Sequence, residues 1–85
     1  MTREEFYEKY GDVKVRFSHY YKFTFTFAAV LPDGNKLTCD FGGNANDIYR
    51  YDVDATVEVS IASLEPYAGS VFRDGKEVEG FYDYI

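Results

Sequence analysis

The 85-residue sequence predicts an α+β domain: a short N-terminal helix packed on a curved antiparallel β-sheet of five or six strands, a meander that either stays open or closes into a small half-open barrel. Three observations predict it. Eight Phe, nine Tyr and eight Val stand against three Leu, three Ile and one Met, and Phe, Tyr and Val favour strands. Alternation with a period of two recurs along most of the chain. Helical spacing occurs once, at the start, behind a capping signal. The length is that of one domain, 1–85, and no repeat, linker or low-complexity segment divides it. A domain near this size buries only about 60% of the surface its unfolded chain exposes. Rings suit it, because each buries much area and freezes few rotamers. Most of the nine Tyr are expected half-buried, with the hydroxyl in water.

The helix is expected over 2–10. Thr2 is the N-cap and Glu5 completes the capping box. Glu4 and Glu5 complement the helix dipole at its start and Lys9 at its end, and Gly11 is the expected left-handed stop. Phe6 and Tyr10 share a face through which so short a helix must dock. Strands are expected over 12–18 and 21–31, joined by a three-residue loop, Ser18-His19-Tyr20, that pairs Phe17 with Tyr21, Val15 with Phe23 and Val13 with Phe25. Leu31-Pro32-Asp33-Gly34 reads as a type I turn with Gly left-handed. It leads into a strand over 35–41 and sets Ala29 opposite Leu37, Phe27 opposite Cys39 and Phe25 opposite Phe41, with Thr26 and Asp40 on the other face. Gly42 to Asp47 is a loop by composition. Short strands are expected over 48–53 and 56–62, the latter with Val57, Val59 and Ile61 inward. Asp74-Gly75 marks a two-residue hairpin over 70–79 that pairs Val71 with Val78. The apolar tail from Phe81 is expected to form or cover a sheet edge.

The residues that carry most enzyme chemistry are scarce. His19 is the single His and sits at an expected hairpin tip; Cys39 is the single Cys and faces the core opposite Phe27. Nucleophilic catalysis needs nucleophile, base and orienter within mutual reach, so an exposed His and an inert buried thiol are expected, and no enzyme. One Cys and one His do not make a transition-metal site. Asn44, Asn46 and Asp47 lack the alternate ligands and closing Glu of a calcium loop, and Gly42-Gly43 lacks the Lys and Ser/Thr of a phosphate loop. No cofactor or metal is expected. A single Cys forms no internal disulfide, which together with a charged start points to a reducing, cytoplasmic setting, and no apolar run is long enough for a membrane helix.

Charge is the uneven feature. The chain has 15 Asp and Glu against 9 Lys and Arg, a net of -6, which disfavours direct binding to nucleic acid. Residues 1–39 hold six basic and five acidic side chains, a net of +1, whereas 40–85 hold three and ten, a net of -7. Asp47, Asp52, Asp54 and Glu58 lie among Tyr49 and Tyr51 with only Arg50 opposing them; Glu77, Glu79 and Asp83 lie beside Phe81, Tyr82 and Tyr84. Carboxylates interleaved with rings fit a surface that meets a basic partner, since charge steers encounter and Tyr anchors it. The expectation is a non-enzymatic binding protein whose partner residues are Asp47, Asp52, Asp54, Glu58, Tyr49 and Tyr51, masking a basic protein surface such as a nucleic-acid-binding site. Small acidic inhibitors of defence nucleases, anti-CRISPR proteins among them, act this way as a class, an analogy of size and charge only. The alternatives are a small-ligand-binding module and a structural assembly component, and the acidic surface also serves solubility.

Overall fold

A computed structural model describes residues 1–43 and 58–83. Helix α1, Arg3–Tyr10, begins with the expected capping box: Thr2 Oγ1 accepts from the Glu5 N–H and Glu5 Oε1 accepts from the Thr2 N–H, each at 3.1 Å. Its end differs from expectation. Gly11 is right-handed (φ -56) and donates its N–H to the Tyr7 carbonyl. A Cβ there would lie 2.4 Å from that same oxygen, so close approach, not a left-handed turn, is what favours glycine.

The strands are β1 (Lys14–Tyr21), β2 (Thr24–Val30), β3 (Lys36–Gly42), β4 (Glu58–Ser60), β5 (Ala68–Arg73) and β6 (Lys76–Tyr82), with a single helical turn, α2 (Ile61–Leu64), after β4. Every pairing is antiparallel, in the order β4-β1-β2-β3-β5-β6. The first three strands form a meander. β4 lies on the far side of β1, and the chain then returns to β3 to build the β5–β6 hairpin. Among the described residues the sheet is open, with β4 and β6 as its edges, so it does not close into a barrel. The strand expected over 48–53 lies outside the described residues. No helix among the described residues is long and apolar enough to cross a membrane.

The β2–β3 ladder has the expected register: Phe25 faces Phe41, Phe27 faces Cys39, Ala29 faces Leu37, and Thr26 faces Asp40 on the opposite side. Gly34 takes φ +88, and the Leu31 N–H donates to the Asn35 carbonyl at 2.8 Å. The β1–β2 hairpin corrects the reading. There is no loop at Ser18-His19-Tyr20. β1 continues to Tyr21, and the turn is Lys22-Phe23, with Lys22 at φ 56. A bulge makes this possible. Phe17 pairs with Phe27 but His19 pairs with Thr26, so Ser18 is the extra residue and inward parity shifts onto Tyr20. Tyr20 then stacks on Phe25, with ring centroids 4.8 Å apart. Tyr21 and Phe23, both expected inward, are 68% and 74% exposed.

A second bulge shifts the last hairpin. Asp74 and Gly75 are both left-handed, as a two-residue type I′ turn requires. Val71, however, pairs with Glu79 rather than Val78, and Val78 is left exposed. Of the strand expected over 56–62, Thr56 and Val57 lie outside the described residues; it ends at Ser60 because Ile61 enters a helical turn, and Ile61 is still fully buried. The Ile61 N–H donates to the Val13 carbonyl and the Ala62 N–H to the Gly11 carbonyl, which ties α2 to the α1–β1 connection.

The core lies between the inner face of the sheet and the two helices. Phe6, Val15, Phe25, Phe27, Leu37, Ile61, Val71 and Cys39 are buried there. The α1 ring Phe6 packs 4.8 Å from Phe81, and its tip rests on Gly69, where a Cβ would come within 2.6 Å of Phe6 Cζ. The tyrosine hydroxyls are less free than expected. Tyr7 donates to the Pro66 carbonyl, Tyr10 to Glu79, and Tyr67 shares a hydrogen bond with Thr24. These bonds tie chain segments far apart in sequence and turn each polar tip into a structural contact.

Candidate functional site

Of the six residues read as partner-binding, Asp47, Tyr49, Tyr51, Asp52 and Asp54 lie outside the described residues. Glu58 is exposed at the start of β4 and is held by Arg16: Glu58 Oε1 accepts from Arg16 Nε at 3.0 Å and from Nη2 at 2.5 Å. The register explains the contact, because Arg16 and Glu58 are directly paired across β1 and β4. Tyr84, from the second acidic–aromatic set, also lies outside the described residues. Glu79 Oε1 accepts from Lys9 Nζ at 2.6 Å, Asp83 lies 3.8 Å from Arg3, and Glu77 accepts from the Tyr82 hydroxyl. All three ion pairs among the described residues therefore join an acid of the second half to a base of the first. Part of the charge split serves to hold the fold together.

His19 and Cys39 stand apart. His19 is exposed on the outer face of β1, with Nδ1 3.2 Å from Ser18 Oγ. Cys39 is buried on the inner face of β3, with β2 between the two strands. Burial, and then the charge of Asp40, push its thiol up to about 12, which suppresses the reactive thiolate. Asp40 faces outward and accepts from Thr26 Oγ1 at 2.7 Å. No group of three His, Cys, Asp or Glu among the described residues is arranged to hold a metal ion.

The structure brings together a different set of residues. The end of α1, the β2–β3 turn and the β5–β6 hairpin enclose a cleft of about 520 Å³. Its floor is apolar: Val13, Leu31, Pro32, Val71 and Val78. One wall carries Lys9, Tyr10 and Glu79, and both Glu79 oxygens are engaged, Oε1 by Lys9 and Oε2 by the Tyr10 hydroxyl at 2.5 Å. The Lys9 bond, then the Tyr10 bond, hold the Glu79 carboxyl below its ordinary range. Burial first, and then the bond to Glu79, raise the Tyr10 phenol. The other wall carries Asp33, Asn35 and Arg73. Asp33 Oδ1 accepts from the Asn35 N–H at 2.9 Å and Oδ2 from Asn35 Nδ2 at 3.2 Å. This fixes Asn35, which is only 9% exposed, so that its Oδ1 faces Arg73 Nε at 3.4 Å. The cleft has no signature in any one segment. Its nearest sequence signal is the Asp33-Gly34-Asn35 turn, read above only as a turn. Comparison of the chain with protein-family models, curated proteins and solved structures finds no match in any of the three.

Proposed function

We propose that the protein is a non-enzymatic binding protein that masks a basic surface on a larger protein, such as a nucleic-acid-binding site. The observation that carries this reading is the stretch 47–54, where Asp47, Asp52 and Asp54 stand against Arg50 alone and flank Tyr49 and Tyr51. A partner that binds phosphate presents Lys and Arg, and carboxylates substitute for phosphate oxygens in pairing with them. Two described features support it. The chain enters this stretch from Gly43, whose N–H donates to the Phe23 carbonyl at 3.0 Å, and Phe23 and Tyr21 are exposed rings of the kind that anchor protein interfaces. Glu58 contributes less than the three Asp, because Arg16 already holds it.

The test is association kinetics of the protein against the partner recovered from its native cell. Replacing Asp47, Asp52 and Asp54 together by Asn is expected to lower the association rate about tenfold or more at low salt and to flatten its salt dependence. Glu58→Gln alone is expected to change the rate less. An unchanged rate and salt slope in the triple variant would leave the acidic stretch as a solubility feature and overturn the reading.

A further inference from the structure

We propose that the cleft between α1, the β2–β3 turn and the β5–β6 hairpin is a binding site for a carboxylate attached to a compact apolar body, with Arg73 as the carboxylate receptor. This goes beyond the masking function and does not depend on it. The cleft, at about 520 Å³, has the size of small-molecule sites, with the usual division into an apolar floor and a few convergent polar groups. What selects the ligand is which polar groups are already committed.

Of the two carboxylates on the walls, Glu79 is ion-paired and Asp33 is hydrogen-bonded on both oxygens. Glu79 accepts from Lys9 and Tyr10, and Asp33 accepts twice from Asn35. Lys9 is spent on Glu79. Arg73 forms no ion pair among the described residues, and its side chain's one hydrogen bond there is the long contact from Nε to Asn35 Oδ1. That contact orients the guanidinium through its Nε and leaves the two Nη groups to donate side by side, the geometry that receives both oxygens of a carboxylate. Asn35 contacts Arg73 and is itself fixed by Asp33, a chain of bonds that supports the fork. Val78, on the same hairpin as Arg73, is 49% exposed, so a carboxylate on the fork has apolar surface for its body.

Charge narrows the class. A dianionic phosphate would meet Glu79 and Asp33 as well as a chain of net charge -6. A monoanion meets one free guanidinium at much lower electrostatic cost. Two sources share the chemistry: a free short-chain carboxylic acid, and the C-terminal residue of a peptide with an apolar side chain.

The experiment is an amide-resolved NMR titration of the intact protein with hexanoate, with N-acetyl-leucine, and with N-acetyl-leucinamide as the uncharged control. Saturable shifts at Asn35, Val71, Arg73 and Val78 are expected with a dissociation constant of order 1 mM, as befits ligands of so few atoms. Stronger binding of hexanoate indicates the free-acid source, and stronger binding of N-acetyl-leucine the peptide source. The amide is expected to bind at least about tenfold more weakly, the loss of one charged contact. Arg73→Gln is expected to abolish carboxylate binding while keeping the dispersed spectrum of the folded chain, because Arg73 is exposed. Arg73→Lys keeps the charge without the fork and is expected to bind in between. The proposal is overturned if neither carboxylate produces saturable shifts up to about 50 mM, if the amide binds as well as the acid, or if Arg73→Gln binds like the wild type.

Discussion

The two turns that bracket β2 handle apolar residues in opposite ways. At one end, Leu31 to Asn35 folds inward: Gly34 takes the left-handed position, Asp33 satisfies the backbone and side chain of Asn35, and Leu31 is only 9% exposed. At the other end, Lys22 takes the left-handed position and Phe23 is left 74% exposed. The first turn is assembled from residues that favour its backbone. The second is imposed on residues that do not, because the bulge at Ser18 brings Tyr20 onto Phe25 and leaves only Lys22 and Phe23 to reverse the chain. A ring stack in the core has overruled local turn preference, and exposed aromatics are the result.

The sharpest way to break this comparison is to truncate the two neighbouring rings. Phe25 is fully buried, so Phe25→Ala is expected to cost about 3–5 kcal/mol in urea unfolding, a large share of the stability of so small a domain. Phe23→Ala, two residues away, is expected to change stability by no more than about 0.5 kcal/mol. Equal losses at the two positions would mean that the tip is part of the core.

The backbone gives a second, smaller test, and here the two turns should respond with opposite signs. Gly34→Ala puts a Cβ into a left-handed conformation and is expected to cost about 1–2 kcal/mol. Lys22→Gly relieves the same strain and is expected to stabilise by about 0.5–1 kcal/mol after the added entropy of glycine in the unfolded chain. Thermal unfolding of the two variants reads both signs, and a destabilised Lys22→Gly would remove the claim that the tip is strained.

The smallest expected effect lies in the ion pairs. Glu79 has an ordinary value of 4.5, and Lys9 and then Tyr10 lower it in the folded chain. A lowered native value gives stability that is complete above the unfolded value and is lost as pH falls through the native one. The stability gap between wild type and Glu79→Gln is therefore expected to be present at about pH 7 and to shrink as pH falls below the ordinary carboxylate value of 4.5, and to shrink in high salt because the pair is solvent-accessible. A gap that persists in acid would mean that Glu79 acts by packing and not by charge.

Legibility in the sequence followed the same physical division. The β2–β3 register can be read because each face is uniform, Phe25, Phe27 and Ala29 against Leu37, Cys39 and Phe41, and a slip would mix apolar with polar. The helix can be read because Thr2 and Glu5 satisfy each other's backbone within four residues. Parity fails wherever a strand carries an extra residue. Ser18 and Val78 have no local mark of a bulge, so parity sets Tyr21 and Phe23 inward and Val78 opposite Val71, where the structure does not place them. Of the acidic site, Glu58 alone falls among the described residues, and its pairing with Arg16 depends on β4 crossing to β1, which no periodicity encodes. The cleft is illegible for the same reason: Lys9, Asn35 and Arg73 come from three segments that meet only in the finished fold.

The strand order also sets a sequence of events in time. β1, β2 and β3 pair through short turns, and so do β5 and β6; hairpins of this kind close in about 1–10 μs. The pairings of β3 with β5 and of β1 with β4 must wait for a long stretch of chain to return, and the entropy of closing that loop is lost before any bond is gained. On topology alone, refolding is expected to join a locally paired meander to a locally paired hairpin, and Phe6 over Gly69 is where the helix attached to the first meets the second.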